Sequence, residues 1–216
     1  MDPFLIAPPL PAPELVSSAP LVLGVLASGS GSNFEAILQA IAADRLQAKV
    51  AVLIYNKPLA KVVERADRWG IPKVLLNHRD FPQREALDEA IVSVLQDYGV
   101  QWVVMAGWMR IVTQVLVNAY PQRILNIHPS LLPAFKGLNA IEQALVAGVK
   151  ITGCTVHLVE TEVDSGPILM QAAVPIFPQD TLESLHDRIQ AQEHRIFPAA
   201  LQRIALEQTL DFNGFY

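Results

Sequence analysis

Cysteine is nearly absent from the sequence. Cys154 is the only one, so no intrachain disulfide can form and the fold must be held by its apolar core. Such usage is compatible with a reducing cytoplasm, the expected setting, and Cys154 reads as a small buried hydrophobe in a strand. Long apolar runs are also missing. Each is broken by Gly, Pro or charge before reaching the about 20 residues that a membrane-crossing helix needs. Positive charge is scarce, with 16 Lys and Arg against 21 Asp and Glu and a net charge of -5, and it forms no cluster. A long phosphate track for DNA or RNA is therefore excluded, and small-molecule chemistry is favoured. Metal-ligand spacing is missing too, since no His, Cys or carboxylate grouping resembles a zinc or di-metal pattern, and no metal is expected.

What is present suits one domain: 216 residues, 51% of them apolar, are enough for a substantial core. Residues 1–20 hold six of the 16 prolines and no Lys or Arg, which does not match a basic region followed by an apolar helix. They are expected to form a disordered or loosely docked extension before a domain at 21–210 and a tail at 211–216. From residue 21, short apolar runs alternate with stretches of helical period. That alternation predicts an α/β fold with a mostly parallel, doubly wound, Rossmann-like sheet. Strands are expected at residues 21–27, 49–55, 73–76, 102–106 and 124–127, and helices at 33–43, 61–69 and 84–98. Residues 152–159 and 168–177, joined by the turn Asp164-Ser165-Gly166-Pro167, predict a late antiparallel addition to the sheet. A long helix closes the domain, with Asp180 as its expected N-cap and Glu183 three residues later.

The first strand runs into Ser28-Gly29-Ser30-Gly31-Ser32-Asn33 and then a helix, so glycine-rich backbone amides converge at a helix N-terminus, a setting that favours an anion. The dinucleotide fingerprint is not met, because Phe34 occupies the third glycine position and Tyr55-Asn56 ends the second strand without an acidic residue. The P-loop lysine is missing as well. A monophosphate fits this short, hydroxyl-rich turn better than a nucleotide. A purely structural alternative has the glycines making a tight turn and Ser32 with Glu35 capping the helix.

The strand at 124–127 delivers Asn126 and His128, two residues apart and so on one face. Pro129 and Pro133 restrict the following backbone at the carboxyl end of the sheet, where open α/β folds bind ligands. Asp164, in the turn between the two late strands, is positioned to return to this edge.

These residues carry a family resemblance. Leu125-Asn126-Ile127-His128-Pro129-Ser130-Leu131-Leu132-Pro133, followed by Asp164-Ser165-Gly166-Pro167, resembles the folate-dependent formyltransferases, and within them the phosphoribosylglycinamide formyltransferases of purine biosynthesis. Supporting motifs are Asn56-Lys57-Pro58, Arg84-Glu85, Ala106-Gly107-Trp108-Met109-Arg110, Phe135-Lys136-Gly137 and Gln192-Glu193-His194, and the match runs from Leu21 to about Pro198. The resemblance implies that 10-formyltetrahydrofolate donates a formyl group to the amino group of 5-phosphoribosylglycinamide, with Asn126, His128 and Asp164 catalytic. It also implies that Gly31, Ser32 and Asn33 hold the acceptor's phosphate and Glu193 its ribose hydroxyls. The folate would lie against Arg84, Met109, Arg110, Ile111, Val112, Asn126, Glu160, Thr161, Glu162, Val163 and Asp164. Ile141 departs from the histidine that some members carry near the cleft. His157, in mid-strand, is expected either to help shape the cleft or to be a buried, hydrogen-bonded structural residue, and His78, His186 and His194 to lie at the surface or just behind the residues of the site.

The rival readings are a methionyl-tRNA formyltransferase, which should carry a second, basic C-terminal domain, and a formyltetrahydrofolate hydrolase, which should carry an N-terminal regulatory domain. A non-enzymatic phosphate-binding module would leave Asn126, His128 and Asp164 unexplained. Monomer and homodimer are both open.

Overall fold

The computed structural model describes residues 5–11 and 19–207. Their eight strands form one sheet in the order β1-β8-β7-β6-β5-β2-β3-β4. Five of them, β2 (Leu21–Ala27), β3 (Ala48–Tyr55), β4 (Lys73–Leu75), β5 (Trp102–Met105) and β6 (Ile124–His128), run parallel. These strands are short and mostly apolar because both faces of this half are covered by helices. The expected late addition is present as β7 (Ile151–Leu158), antiparallel to β6, and β8 (Ile168–Pro175), antiparallel to β7.

Two apolar layers sandwich the sheet. One joins β2 and β7 to α1 (Ser32–Ala42), α2 (Val62–Trp69), α5 (Ala140–Ala147) and α6 (Leu182–Glu207) through Phe34, Ile37, Ala66, Ile141, Ile196 and Phe197. The other packs α3 (Arg84–Asp97) and α4 (Gln114–Ala119) against the opposite face through Ile91, Leu95 and Leu116. This is the doubly wound arrangement. Gly24 in β2 is required by the second layer, since a Cβ there would strike the side chain of Leu95.

Within the stretch expected to be disordered or loosely docked, β1 (Leu5–Ala7) pairs antiparallel with β8 at the sheet edge. Helix α6 begins one residue later than expected, capped by Thr181. The Thr181 hydroxyl accepts from Ser184 N–H at 3.2 Å while the Ser184 hydroxyl accepts from Thr181 N–H at 3.0 Å, a reciprocal box that satisfies two amides. Asp180 is thereby released to accept from Phe177 N–H and from both terminal nitrogens of Arg188. Glu183 takes no part in this cap. The tail at 211–216 lies outside the described residues. Among those described, no helix is long and apolar enough to cross a membrane.

Candidate active site

The sheet order reverses between β2 and β5. Chain progress from β2 runs through β3 to β4 on one side, then resumes at β5 and β6 on the other, which opens a crevice at the carboxyl ends of the two central strands. The loops leaving these strands are tied together across it. Ser28 N–H donates to the Gly107 carbonyl at 3.0 Å, and Met109 N–H donates to the Ser28 hydroxyl at 2.9 Å.

The glycine loop is left open at its helix end. Gly31 caps α1 with φ 73°, in the left-handed region, and no side chain caps the helix. Its α hydrogen faces Val62, and a Cβ would come within 2.5 Å of Val62 Cγ2. The structural alternative of a Ser32–Glu35 cap is not what the chain forms. Glu35 instead accepts from Arg65 Nη1 at 2.8 Å, Arg68 Nη2 at 3.0 Å and Trp69 Nε1 at 2.9 Å. Burial opposes ionisation of this carboxyl, but those donors together hold it below its ordinary value. Gly31, Ser32 and Asn33 line a cavity of about 220 Å³, and Glu193 of α6 closes it. Asn33 Nδ2 donates to Glu193 Oε2 at 2.8 Å. Desolvation pushes the Glu193 carboxyl up.

Strand β6 and its antiparallel neighbour build the second half of the site. Asn126 pairs directly with His157 in the register, so the two side chains share a face. The loop after β7 folds over that face. Its Asp164 lies with Oδ2 3.3 Å from His128 Nδ1 and Oδ1 3.6 Å from His157 Nε2, and Oδ2 also accepts from Gly137 N–H at 2.8 Å. Burial works to raise the Asp164 pKa, but the His157 ring, the Gly137 amide and the His128 charge outweigh it and hold the carboxyl below the usual value. The other nitrogen of His128, Nε2, donates to the Phe135 carbonyl at 2.8 Å. Both ring nitrogens of His128 thus face oxygen acceptors, the Asp164 carboxylate on one side and the Phe135 carbonyl on the other.

His157, expected to be a buried, hydrogen-bonded strand residue, is 2% exposed and takes part in this cluster. Its Nδ1 donates to the Leu158 carbonyl at 2.8 Å. Its Nε2 lies 3.1 Å from Asn126 Nδ2 and 3.6 Å from Asp164 Oδ1, so the ring stands between the amide and the carboxylate. The cross-strand register was the missing signal, because nothing in the local sequence pairs Asn126 with a residue 31 positions on.

All the residues expected to contact folate line one larger cavity of about 1140 Å³, together with His128 and His157. Met109 and Ile111 expose their side chains to it, whereas Val112 is buried in the core. Asp88 of α3 accepts from Thr113 N–H at 2.5 Å and so pins the far end of the wall at 107–113. The two cavities share Gly107, Met109, Ile127, Pro129, Ile141 and His186. The cavity of the catalytic candidates and the cavity of the glycine loop therefore adjoin, with these residues as their common wall. Among the described residues no cluster of His, Cys, Asp and Glu could hold a metal ion. Cys154 is fully buried, and burial pushes its thiol well up.

A carboxylate against an imidazole, with an amide beside them and a glycine loop bordering an adjoining cavity, is an arrangement suited to a group-transfer enzyme. Residues 22–201 match the formyl transferase family model, and the chain belongs to that family. It is 42% identical over 180 residues to phosphoribosylglycinamide formyltransferase of Bacillus subtilis, covering 83% of this chain and 92% of the relative. It is also 44% identical over 183 residues to the human trifunctional purine biosynthetic protein adenosine-3. That match covers 85% of this chain, which spans about 18% of the human protein's length. Among solved structures, glycinamide ribonucleotide transformylase 1 from Symbiobacterium toebii superposes with a TM-score of 0.86 at 49% identity, over 90% of this chain and 92% of that one.

Proposed function

We propose that this protein transfers the formyl group of 10-formyltetrahydrofolate to the amino group of 5-phosphoribosylglycinamide, in the cytoplasm, as a step of purine biosynthesis. The observation that carries the reading is that the two cavities adjoin, with Asn126, His128 and Asp164 on the wall of the larger and the glycine loop on the wall of the smaller. A phosphate held at residues 31–33 sets the acceptor's amine beside a formyl carbon presented from the folate cleft. Bringing the two partners together in this way is itself a large part of the rate enhancement.

The amine nitrogen attacks the formyl carbon, and the formyl oxygen becomes an oxyanion. Asn126 offers it the Nδ2 hydrogen not committed to His157. His128, fixed through Nε2 to Phe135, offers it the Nδ1 proton from beside Asp164. One donor of this kind is typically worth about a hundredfold to a thousandfold in rate. The amine nitrogen then loses a proton, the bond from the formyl carbon to the folate nitrogen breaks, and that nitrogen gains a proton. Asp164, directly or through an ordered water, and His128 relay it. The folate's flat ring is received by Met109, Ile111, Val112 and Val163, and its charged end by Arg84 and Arg110.

The test is an assay of the purified protein with 10-formyltetrahydrofolate and three acceptors, 5-phosphoribosylglycinamide, charged initiator tRNA and water. Formylation of the glycinamide alone is the expected result. Formate release without acceptor, or formylation of tRNA alone, would replace this reading with one of its relatives.

A further inference from the structure

The smaller cavity is built for an anion yet has little positive charge on its walls. No Lys or Arg of the described residues lines it; the loop residues 29–33 face Gln190, Glu193 and His186 of α6. The nearest guanidinium, Arg65, sits behind the loop, where its Nε donates to the Ser30 carbonyl at 2.8 Å and its Nη1 is committed to Glu35. Backbone amides at a helix end present about half a positive charge, whereas a phosphate monoester carries about -1.5 to -2 near neutrality. Much of that charge is left without a counterpart.

His186 is placed to supply it. It borders both cavities, and it stands four residues before Gln190 and seven before Glu193, on one face of α6. Its charge is felt by the Glu193 carboxyl, which is itself bonded to Asn33 of the loop. Its side chain is 49% exposed, and its one ion-pair contact is Asp187 at 3.5 Å, a neighbour 73% exposed. The ring is thus free to turn toward a ligand. Acids line the cavities beside it, Glu183 one turn earlier and Glu193 on α6 and Glu142 on α5, whereas Arg84, Arg110, His128 and His157 line only the larger cavity.

We propose that His186 is the cationic partner of the acceptor's phosphate, closing over the anion held by the amides of residues 31–33, so that affinity for the phosphorylated acceptor is pH-dependent. The identity of the ligand rests on the formyl-transfer reading; the anion site does not. An imidazole binds phosphate as a cation, so the contribution is present at low pH and disappears as pH rises through the range in which the ring loses its proton. Titration of the phosphate itself is common to every variant, and the ratio of variant to wild type removes it.

The experiment measures KM for acceptor and donor between about pH 6 and pH 8.5 in wild type, His186→Ala and His186→Lys. His186→Ala should raise the acceptor KM about threefold to fivefold at the acid end, in line with a half-exposed ion pair. That ratio should close to one at the alkaline end, with the donor KM unmoved, and His186→Lys should keep the low acceptor KM throughout. A ratio of one at the acid end, or a rise independent of pH, overturns the proposal. Calorimetric titration with inorganic phosphate separates it from the reaction assignment. If no formyl reaches the acceptor, weaker phosphate binding by His186→Ala at about pH 6 still supports the role of His186, and equal binding removes it.

Discussion

Replacing Asp164 by Asn removes one negative charge and changes little else. The amide oxygen can still accept from Gly137 N–H, now at 2.8 Å, and Asn tolerates the backbone φ of 51° at this position better than Ala does. What is lost is the carboxylate 3.3 Å from His128 Nδ1. A hydrogen bond to a charged group contributes about 1.5–3 kcal/mol, which corresponds to about tenfold to 150-fold in rate if it acts fully in the transition state. Loss of the proton relay, where positioned acid–base groups are typically worth about 10²–10⁴-fold, acts through the same carboxylate, so the two losses overlap and are not multiplied. A fall in kcat of about 10²–10³-fold is therefore expected, with either KM changed by less than about threefold. Steady-state formyl transfer gives the rate, and circular dichroism with a thermal melt shows that the fold is intact. A kcat within about threefold of wild type would refute the reasoning, since Asp164 would then be holding only its loop.

Gly31→Ala should cost about 1–2 kcal/mol of stability from its left-handed backbone alone, and its Cβ must also displace Val62; a lower Tm with a raised acceptor KM checks both. Asp88→Ala frees Thr113 N–H and loosens the wall at 107–113, so the donor KM should rise about tenfold while the acceptor KM stays put, a cost of order 1–3 kcal/mol for one buried unsatisfied amide. On acidification, Asp164 and Asp180 should lose stabilising power. Asp180 is held down mainly by its hydrogen bonds from Arg188, and both carboxyls lie below their ordinary values. Their contribution is complete above about pH 4, the unfolded value, and is lost as pH falls through the lower folded values. Melts at decreasing pH should therefore show a falling Tm, less steep in Asp180→Asn. Glu193 has the opposite sign, because burial raises its value and the folded state pays increasingly as pH rises past the unfolded one. Glu193→Gln should thus raise Tm near neutrality while weakening acceptor binding.

The parallel half of the fold was legible because its strands carry their signal locally, as apolar runs bounded by glycine and proline. Helices α4 and α5 were not. The first is six residues long, too short for a clear period although Thr113 caps it, and the second is eight residues long, follows a left-handed Asn139 and has no side-chain cap. Strand β1 was hidden for a different reason. Its three residues, just before Pro8, are too few to show an alternation, and their pairing is provided by the open edge of β8. In the site, Asn126, His128 and the glycine loop were visible because each lies in one short segment. The sequence left His157 between a cleft and a purely structural role and put His186 outside the site, since one depends on a cross-strand register and the other on which face of α6 meets the cleft.

The change of strand direction after β6 explains why these parts meet. A parallel strand after β6 would need a crossover returning to the same end of the sheet, and would bring no residue of the next strand back along Asn126 and His128 in opposite sense. Running antiparallel, β7 sets His157 against Asn126 and Thr155 against His128. The loop that follows can then turn over the shared face and lay Asp164 between the two rings. The parallel half supplies the other requirement, because only a strand entering a helix at the carboxyl edge presents free amides to an anion. The junction of the two halves is thus where a fixed phosphate and a carboxylate–imidazole–amide cluster can face the same substrate.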